Sequence, residues 1–413
     1  MRPLPTVLVC VVALAGCDSG DDAPADTRPG GADPAVHLRA LQRIADENGG
    51  HRAAGTTGYR ESARYVAEAL RDAGWRVRLQ RFRYPWWGER SSSLELAPGG
   101  ELRPGRDFRP VIYSGEGVVD GPIEPVGTGC TQGEVAAIDA GDIAVALPRR
   151  CLFRVKAANA RRAGAAGLLI VDPARGAEAS TGTLVEPGPH LPAAILRRGL
   201  APRLRAGVRA RLRVDAESGP RTGVNVVAQS GGRRGAGVVM AGGHLDSVEA
   251  GPGINDNGSG VAALLALAES TGPSAPGAPI RLGFWDAEEL GLYGSNGYVD
   301  ALGPGRRREL SAYVNLDIVG SPNAVRAVYT VNQSLRRARP AARRIERLLS
   351  SRVEPAQHTS GASDHQPFAQ AGVPVGGLFT GASEHGPGGR PRDPCYHLSC
   401  DTLRNVDVGL VRA

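Results

Sequence analysis

Apolar side chains recur along this chain in three rhythms. Near the start, Val36, Leu41 and Ile44 fall at helical spacing within residues 35–48. A second amphipathic segment, Glu61 to Ala73, puts Val66, Leu70 and Ala73 on one face, with Gly74 as its stop. Trp75, Val77 and Leu79 then alternate with Arg76, Arg78 and Gln80, the period-two pattern of a half-exposed strand. From about Ile112 to Ala216 the short runs Ile143–Leu147 and Leu168–Val171 alternate with glycine- and proline-rich turns, around a helix-like stretch at Phe153–Ala163. After Val224 the rhythm changes again. Val238–Ala241, Ile280–Trp285, Ala312–Leu316 and Val375–Phe379 read as short buried strands, separated by helical segments and loops. The expected fold is α/β: a mixed, mostly parallel sheet flanked by helices over 35–111 and 217–413, with a smaller β-rich block at 112–216 inserted into it. No internal repeat is visible.

The first residues carry an address. Arg2 is followed by an apolar stretch, Leu4 to Ala15, too short to span a bilayer. It ends in Leu14-Ala15-Gly16-Cys17, which resembles the bacterial lipobox. That resemblance implies a lipoprotein signal segment over residues 1–17, cleaved so that Cys17 is lipidated and becomes the new N-terminus. The alternative is an ordinary signal peptide with an incidental cysteine, and either implies export to the outer face of the membrane or beyond. Residues 18–34, rich in Asp, Pro and Gly, read as a flexible tether. Export permits disulfides. With Cys10 and Cys17 set aside, Cys130, Cys151, Cys395 and Cys400 allow more than one connectivity, and the local pairs 130–151 and 395–400 are the economical choice.

Composition narrows the class. A chain of 413 residues, 41% apolar and 22% charged, suits a globular enzyme of two domains. The formal charge of +7 is carried almost entirely by arginines spread along the chain, Lys156 being the lone lysine. With no basic helix or interleaved aromatic array, a nucleic-acid partner is not expected.

The chemistry concentrates in GGHLDS (242–247), INDNGSG (254–260), WDAEELG (285–291), NLDIVG (315–320) and CYHLSC (395–400). Each of the first four follows or precedes an expected element at the strand ends, where open α/β sheets place their sites. Asp246 stands two residues from His244, in reach to hydrogen-bond the imidazole and fix its tautomer. Asp256 sits in an Asn- and Gly-rich loop where a carboxylate can bridge two cations. Glu288 and Glu289 diverge as neighbours must, so one can bind metal while the other serves as general base. Asp317 ends an apolar strand, and His397 lies between two cysteines. Taken singly, a histidine is more often structural and an acid at a strand end more often a cap, and Glu288-Glu289 could simply open a helix. Their ordered coincidence points instead to paired zinc ions held by two imidazoles and three carboxylates. Calcium or magnesium would favour oxygen alone.

The ordered set GGHLDS, NDNGSG, WDAEELGLYGS, NLDIVG, SDHQPF and CYHLSCDTL closely resembles the two-zinc aminopeptidase family of secreted bacterial leucine aminopeptidases and vacuolar aminopeptidase Y, from about residue 35 to the C-terminus. The middle block resembles the protease-associated (PA) domain that many members insert. The resemblance implies the zinc exopeptidase fold and metal ligands His244, Asp256, Glu289, Asp317 and His397. Asp256 would bridge two zinc ions, with His244 and Asp317 on one and Glu289 and His397 on the other. Glu288 would take a proton from the water between the ions, and Tyr396 would help hold the developing oxyanion. It further implies a non-proline cis peptide after Asp256 and a His365 near the substrate pocket that binds no metal. His37, His51, His190, His358 and His385 are expected to be structural. One departure from some relatives is Ala362, where they carry arginine. The expected reaction is removal of the N-terminal, hydrophobic, leucine-like residue from peptides, by a monomer that meets the membrane only through Cys17. Two rivals remain at this point: a single-zinc glutaminyl cyclase, which shares the fold, and a non-catalytic binding lipoprotein. A bound-metal count of two, one or none separates them.

Overall fold

The computed structural model describes residues 33–413 apart from 149, 174–175, 234, 236, 275–276, 330–346, 348–357 and 360–362. The signal peptide at 1–17 with Cys17, all but the end of the 18–34 tether, Ala362 and the His358 side chain lie outside the described residues.

Helix α1 (Pro34–Glu47) opens with Asp33 accepting the N–H of Ala35 and proline in the first turn, where its missing donor costs nothing. Its inward face runs through Leu38, Leu41 and Ala45, and Val36, expected inward, is 49% exposed. The stripe repeats at three and four residues from Leu38, and Val36 falls off it. Helix α2 (Thr57–Asp72) starts a turn before Glu61, because Thr56 caps it by accepting the N–H of Tyr59 at 3.3 Å. Strand β1 (Arg76–Ala97) follows, far longer than the alternation indicated, and Leu79 points to solvent.

Arg83–Arg221 forms a compact unit of its own. It contains β2 (Gly100–Leu102), β3 (Phe108–Pro110), β4 (Gly117–Pro125), β5 (Ile143–Ala146), α3 (Phe153–Ala163), β6 (Gly167–Val171) and β7 (Ala193–Leu196). Strands β4, β5, β6 and β7 lie in parallel, with β3 antiparallel on β7. Every residue of β5, β6 and β7 is buried, which is why they read as unbroken apolar runs. The first half of β8 (Arg209–Gln229) pairs antiparallel with β4. The unit is wider than residues 112–216 because its limits fall within the long strands β1 and β8. Cys130 and Cys151 are disulfide-bonded within it.

The other unit holds the residues before Arg83 and after Arg221. It adds β9 (Val238–His244), α4 (Gly258–Thr271), β10 (Ile280–Trp285), α5 (Tyr293–Arg307), β11 (Leu310–Leu316), β12 (Ala327–Tyr329), β13 (His358–Thr359), α6 (His365–Gln370), β14 (Val375–Phe379) and α7 (Val408–Arg412). Strand β9 is parallel to both β10 and β11, and β11 is parallel to β14. The end of β8 and strand β12 flank them antiparallel, making the sheet mixed but mostly parallel. One face buries Val226, Leu282 and Phe284 against Leu41, Leu70, Val261 and Leu265 from α1, α2 and α4. The opposite face buries Met240, Trp285 and Tyr313 against Tyr298, Leu302 and Phe368 from α5 and α6. The sheet is therefore covered on both sides, and its open edge of loops lies at the carboxyl ends of β9, β10, β11 and β14.

Candidate metal centre

Those strand ends deliver the acidic and histidine residues. His244 is the last residue of β9, Glu288 and Glu289 follow β10 within four residues, and Asp317 directly follows β11. A Cβ on Gly243 would lie 2.5 Å from the Leu316 carbonyl, so glycine there lets β9 and β11 close up beside His244. Asp256 lies just before α4, whose cap Asn257 accepts the Gly260 N–H at 3.0 Å. The Asp256–Asn257 peptide bond is cis. Ala287, Ile318 and His397 all have positive φ without being glycine, and each adjoins or is a site residue, the backbone signature of a constrained functional region.

Donor atoms converge in two groups that share one carboxylate. His244, Asp256 and Asp317 each place a ligand atom within 4.8 Å of the others, and so do Asp256, Glu289 and His397. The Nε2 of His244 is 3.1 Å from Asp256 Oδ1 and 3.3 Å from Asp317 Oδ1. The Nε2 of His397 is 3.3 Å from Asp256 Oδ2 and 3.2 Å from Glu289 Oε2. Glu288 joins a third overlapping group with His244 and Glu289. Tyr396 stacks on His397, ring centroids 3.9 Å apart. His365 is buried and joins none of these groups.

The surroundings hold this acid-rich cluster in shape. His244 Nδ1 is 3.0 Å from the backbone carbonyl of Asp246, whereas the Asp246 carboxylate stands 3.8 Å away, too far for the hydrogen bond that the sequence spacing implied. That carboxylate instead accepts the N–H groups of Glu288 and Glu289, at 3.1 and 3.2 Å. Ser363 donates to Asp317 Oδ2 at 2.6 Å, leaving Oδ1 turned to His244. Desolvation pushes Glu288 well above the usual carboxylate range and carries Asp246 up to about 7. Burial works in the same direction on Asp256, yet hydrogen bonds from His244 and His397 hold it below its ordinary value. Desolvation opposes charge on His244, but Glu288 and Asp317 drive it well above the ordinary imidazole range.

This donor set fits zinc. It combines imidazole nitrogens with carboxylate oxygens, and Glu289 Oε1 is buried with no hydrogen-bond partner among the described residues. A buried carboxylate oxygen left unpaired in a cluster of anions is costly unless a cation takes it.

Sequence reasoning passed over the residues that hold the loops. Arg52, in the segment NGGHRAAGTTGY, is fully buried and spends its guanidinium on three backbone carbonyls. It donates to Pro252 at 2.9 Å, to Gly253 at 2.7 Å and to Leu245. Burial lowers its pKa to about 10, and it remains charged. Asn255 and Asp401 were visible within two of the motifs, but nothing in the spacing marks them as hydrogen-bond hubs. Cys395 and Cys400 are disulfide-bonded across the His397 loop.

A family model for peptidase family M28 matches residues 225–413, and one for the PA domain matches 114–204. An aminopeptidase of Pseudomonas aeruginosa is 34% identical over 407 residues, covering 90% of this chain and 76% of that protein. The Probable lipoprotein aminopeptidase LpqL of Mycobacterium tuberculosis is 34% identical over 457 residues, covering 98% of this chain and 91% of that protein. The chain belongs to peptidase family M28. This M28 peptidase is thus an enzyme with a PA domain, as the motifs implied. An aminopeptidase from Aneurinibacillus sp. strain AM-1 superposes with a TM-score of 0.70 at 26% identity, covering 92% of this chain and 91% of that one. A zinc aminopeptidase from Bacillus subtilis shares the fold, with a TM-score of 0.74 at 24% identity and 93% of each chain covered.

Proposed function

We propose that this M28 peptidase is a two-zinc aminopeptidase that removes a hydrophobic, leucine-like residue from the N-terminus of peptides. The observation that carries the reading is the pair of three-residue groups meeting at Asp256. His244 and Asp317 would hold one zinc, Glu289 and His397 the other, and Asp256 both. When bound, the two ions supply Lewis acidity to polarise the scissile carbonyl and acidify the attacking water. Glu288, which shares a group with His244 and Glu289, would take the proton of that water and return it to the leaving amine. Tyr396 is held well above its ordinary range by desolvation and the neighbouring carboxylates, so its phenol stays protonated and can donate to the developing oxyanion. Asp246 fixes the backbone from which Glu288 and Glu289 project. The free α-amine of the substrate is drawn to the acidic cluster.

Residues 1–17 would direct export and Cys17 would carry the lipid, in line with the lipobox-like end of the apolar stretch and the two disulfides. The block around residues 112–216 would be the PA domain, set into a peptidase domain built from 35–111 and 217–413. Hydrolysis of leucine p-nitroanilide by protein lacking residues 1–17, with zinc and after chelation, tests the activity. Metal-dependent release is the expected result. No turnover of any free-amine substrate by protein holding two zinc ions sinks the aminopeptidase reading. A count of one ion, or of none, favours the cyclase or the binding lipoprotein instead.

A further inference from the structure

Between His244 and Asp256 the chain makes a loop, and its last residues are held from the opposite end of the sequence. Asp401, buried, takes the Asn255 N–H on Oδ1 at 2.8 Å and the Asp256 N–H on Oδ2 at 3.0 Å. Its backbone carbonyl takes the Ile254 N–H at 3.1 Å. Three successive N–H groups leading to Asp256 thus end on one residue. Asp401 itself closes a tight turn, its N–H donating to Leu398 O at 3.1 Å, directly after the His397 that reaches the Asp256 carboxylate. The Cys395–Cys400 disulfide closes the same turn. Asn255, fully buried, ties in the third loop. Its Oδ1 accepts from Gly320 N at 3.1 Å, and its Nδ2 donates to Asp393 Oδ2 at 2.6 Å and Ser321 Oγ at 3.2 Å. Asn405 donates to both Asp393 and Asp401, at 2.8 and 3.3 Å.

We propose that Asp401 is a positioning residue that sets Asp256 in register with His397 through these two backbone hydrogen bonds, and so fixes the spacing on which metal retention depends. The proposal rests on the two-zinc reading. A carboxylate is required because two N–H donors from adjacent residues need an acceptor on each arm. An amide in its place offers one acceptor and turns a donor toward the other N–H. Groups that orient ligands from behind typically contribute 10–100-fold to metal affinity or activity.

The test compares wild type, Asp401→Asn and Gln42→Ala, each as the full chain after residue 17, by chelator competition for zinc, thermal melting and kcat against KM. Gln42 is the control because it accepts the Leu403 N–H at 2.9 Å, anchoring the same segment away from the metal groups. Folded Asp401→Asn should hold zinc about 10–100-fold more weakly, with kcat falling and KM near the wild-type value, whereas Gln42→Ala should lose thermal stability alone. If Asp401→Asn does not fold, Asn405→Ala replaces it and should weaken zinc several-fold in the same direction. Wild-type zinc affinity and kcat in whichever of these variants is folded, with only a lower melting temperature, overturns the proposal. A wild-type chain that holds fewer than two zinc ions refutes the two-zinc reading instead.

Discussion

The carboxylate of Asp246 accepts the backbone N–H of Glu288 at 3.1 Å. A residue just past the end of one parallel strand thereby fixes the loop that follows its neighbour, and the same carboxylate takes the Glu289 N–H as well. Both glutamates are thus aimed by a group that need not itself touch substrate. Glu288→Gln keeps the backbone hydrogen bonds and the shape of the side chain but removes the proton acceptor. It should lower kcat by about 10²–10⁴-fold, the usual contribution of a general base. Zinc content should be unchanged. Parallel kinetics and metal analysis of the purified variant check this, and a loss of zinc in step with activity would make Glu288 a ligand.

The shared carboxylate predicts an unequal response to ligand removal. His397→Ala strips one of the two groups and should leave about one zinc per chain, as should His244→Ala. Asp256→Ala breaks both groups and should leave less than either. Inductively coupled plasma measurement on folded protein decides it. Equal loss in all three variants would contradict a bridging Asp256.

Much of this site was legible because three of the five proposed ligands, His244, Glu289 and Asp317, sit at or just past the point where an apolar run stops. Val238 to His244, Ile280 to Trp285 and Leu310 to Leu316 are short buried strands, and a buried strand ending in His, Asp or Glu is conspicuous against its own pattern. Asp246 was noticed for its two-residue spacing from His244, but its hydrogen bonds run to a loop some forty residues later in the chain, which no local spacing reveals. Arg52 was missed for a similar reason. Its partners are carbonyls, and every residue type carries one. The solvent-facing Val36 and Leu79 show the same limit from the other side, since an apolar residue near an amphipathic stripe need not lie on it.

Arg52 supports the loop 245–253 with charge as well as hydrogen bonds. Arg52→Met fills comparable space, yet it leaves three buried carbonyls without their donor. The expected cost is about 3 kcal/mol or more of folding stability, since each buried acceptor left without its donor costs about 1–3 kcal/mol. Urea unfolding should show it as a lower midpoint at unchanged slope. A loss below about 1 kcal/mol would mean that water replaces the guanidinium.

His37 gives the fold a dependence on acid that is separate from catalysis. It is buried on α1, with Nδ1 2.7 Å from the Tyr65 hydroxyl and Nε2 3.3 Å from Glu269 Oε1, and desolvation lowers its pKa to about 4. A base with a depressed folded pKa binds its proton more readily when unfolded. Its stability contribution is therefore present above about pH 6.5 and is lost as pH falls from there toward 4. The loss amounts to roughly 3 kcal/mol at the acid end. His37→Gln should flatten that part of the stability–pH curve, and an unchanged slope between pH 6.5 and 4 would assign the acid sensitivity elsewhere.

Asp256 lies in hydrogen-bond reach of imidazoles on both sides, one oxygen to each. A carboxylate divided in this way cannot serve two cations independently, because the charge it lends to one is partly withdrawn from the other. The first ion to arrive would also order the anion for the second. Occupancy of the two proposed positions would then be a single linked equilibrium, and the coupling would be the same whichever side filled first. Trace-metal supply would act on such an enzyme through the joint population of its loaded states, with the half-filled form as a distinct species between empty and complete.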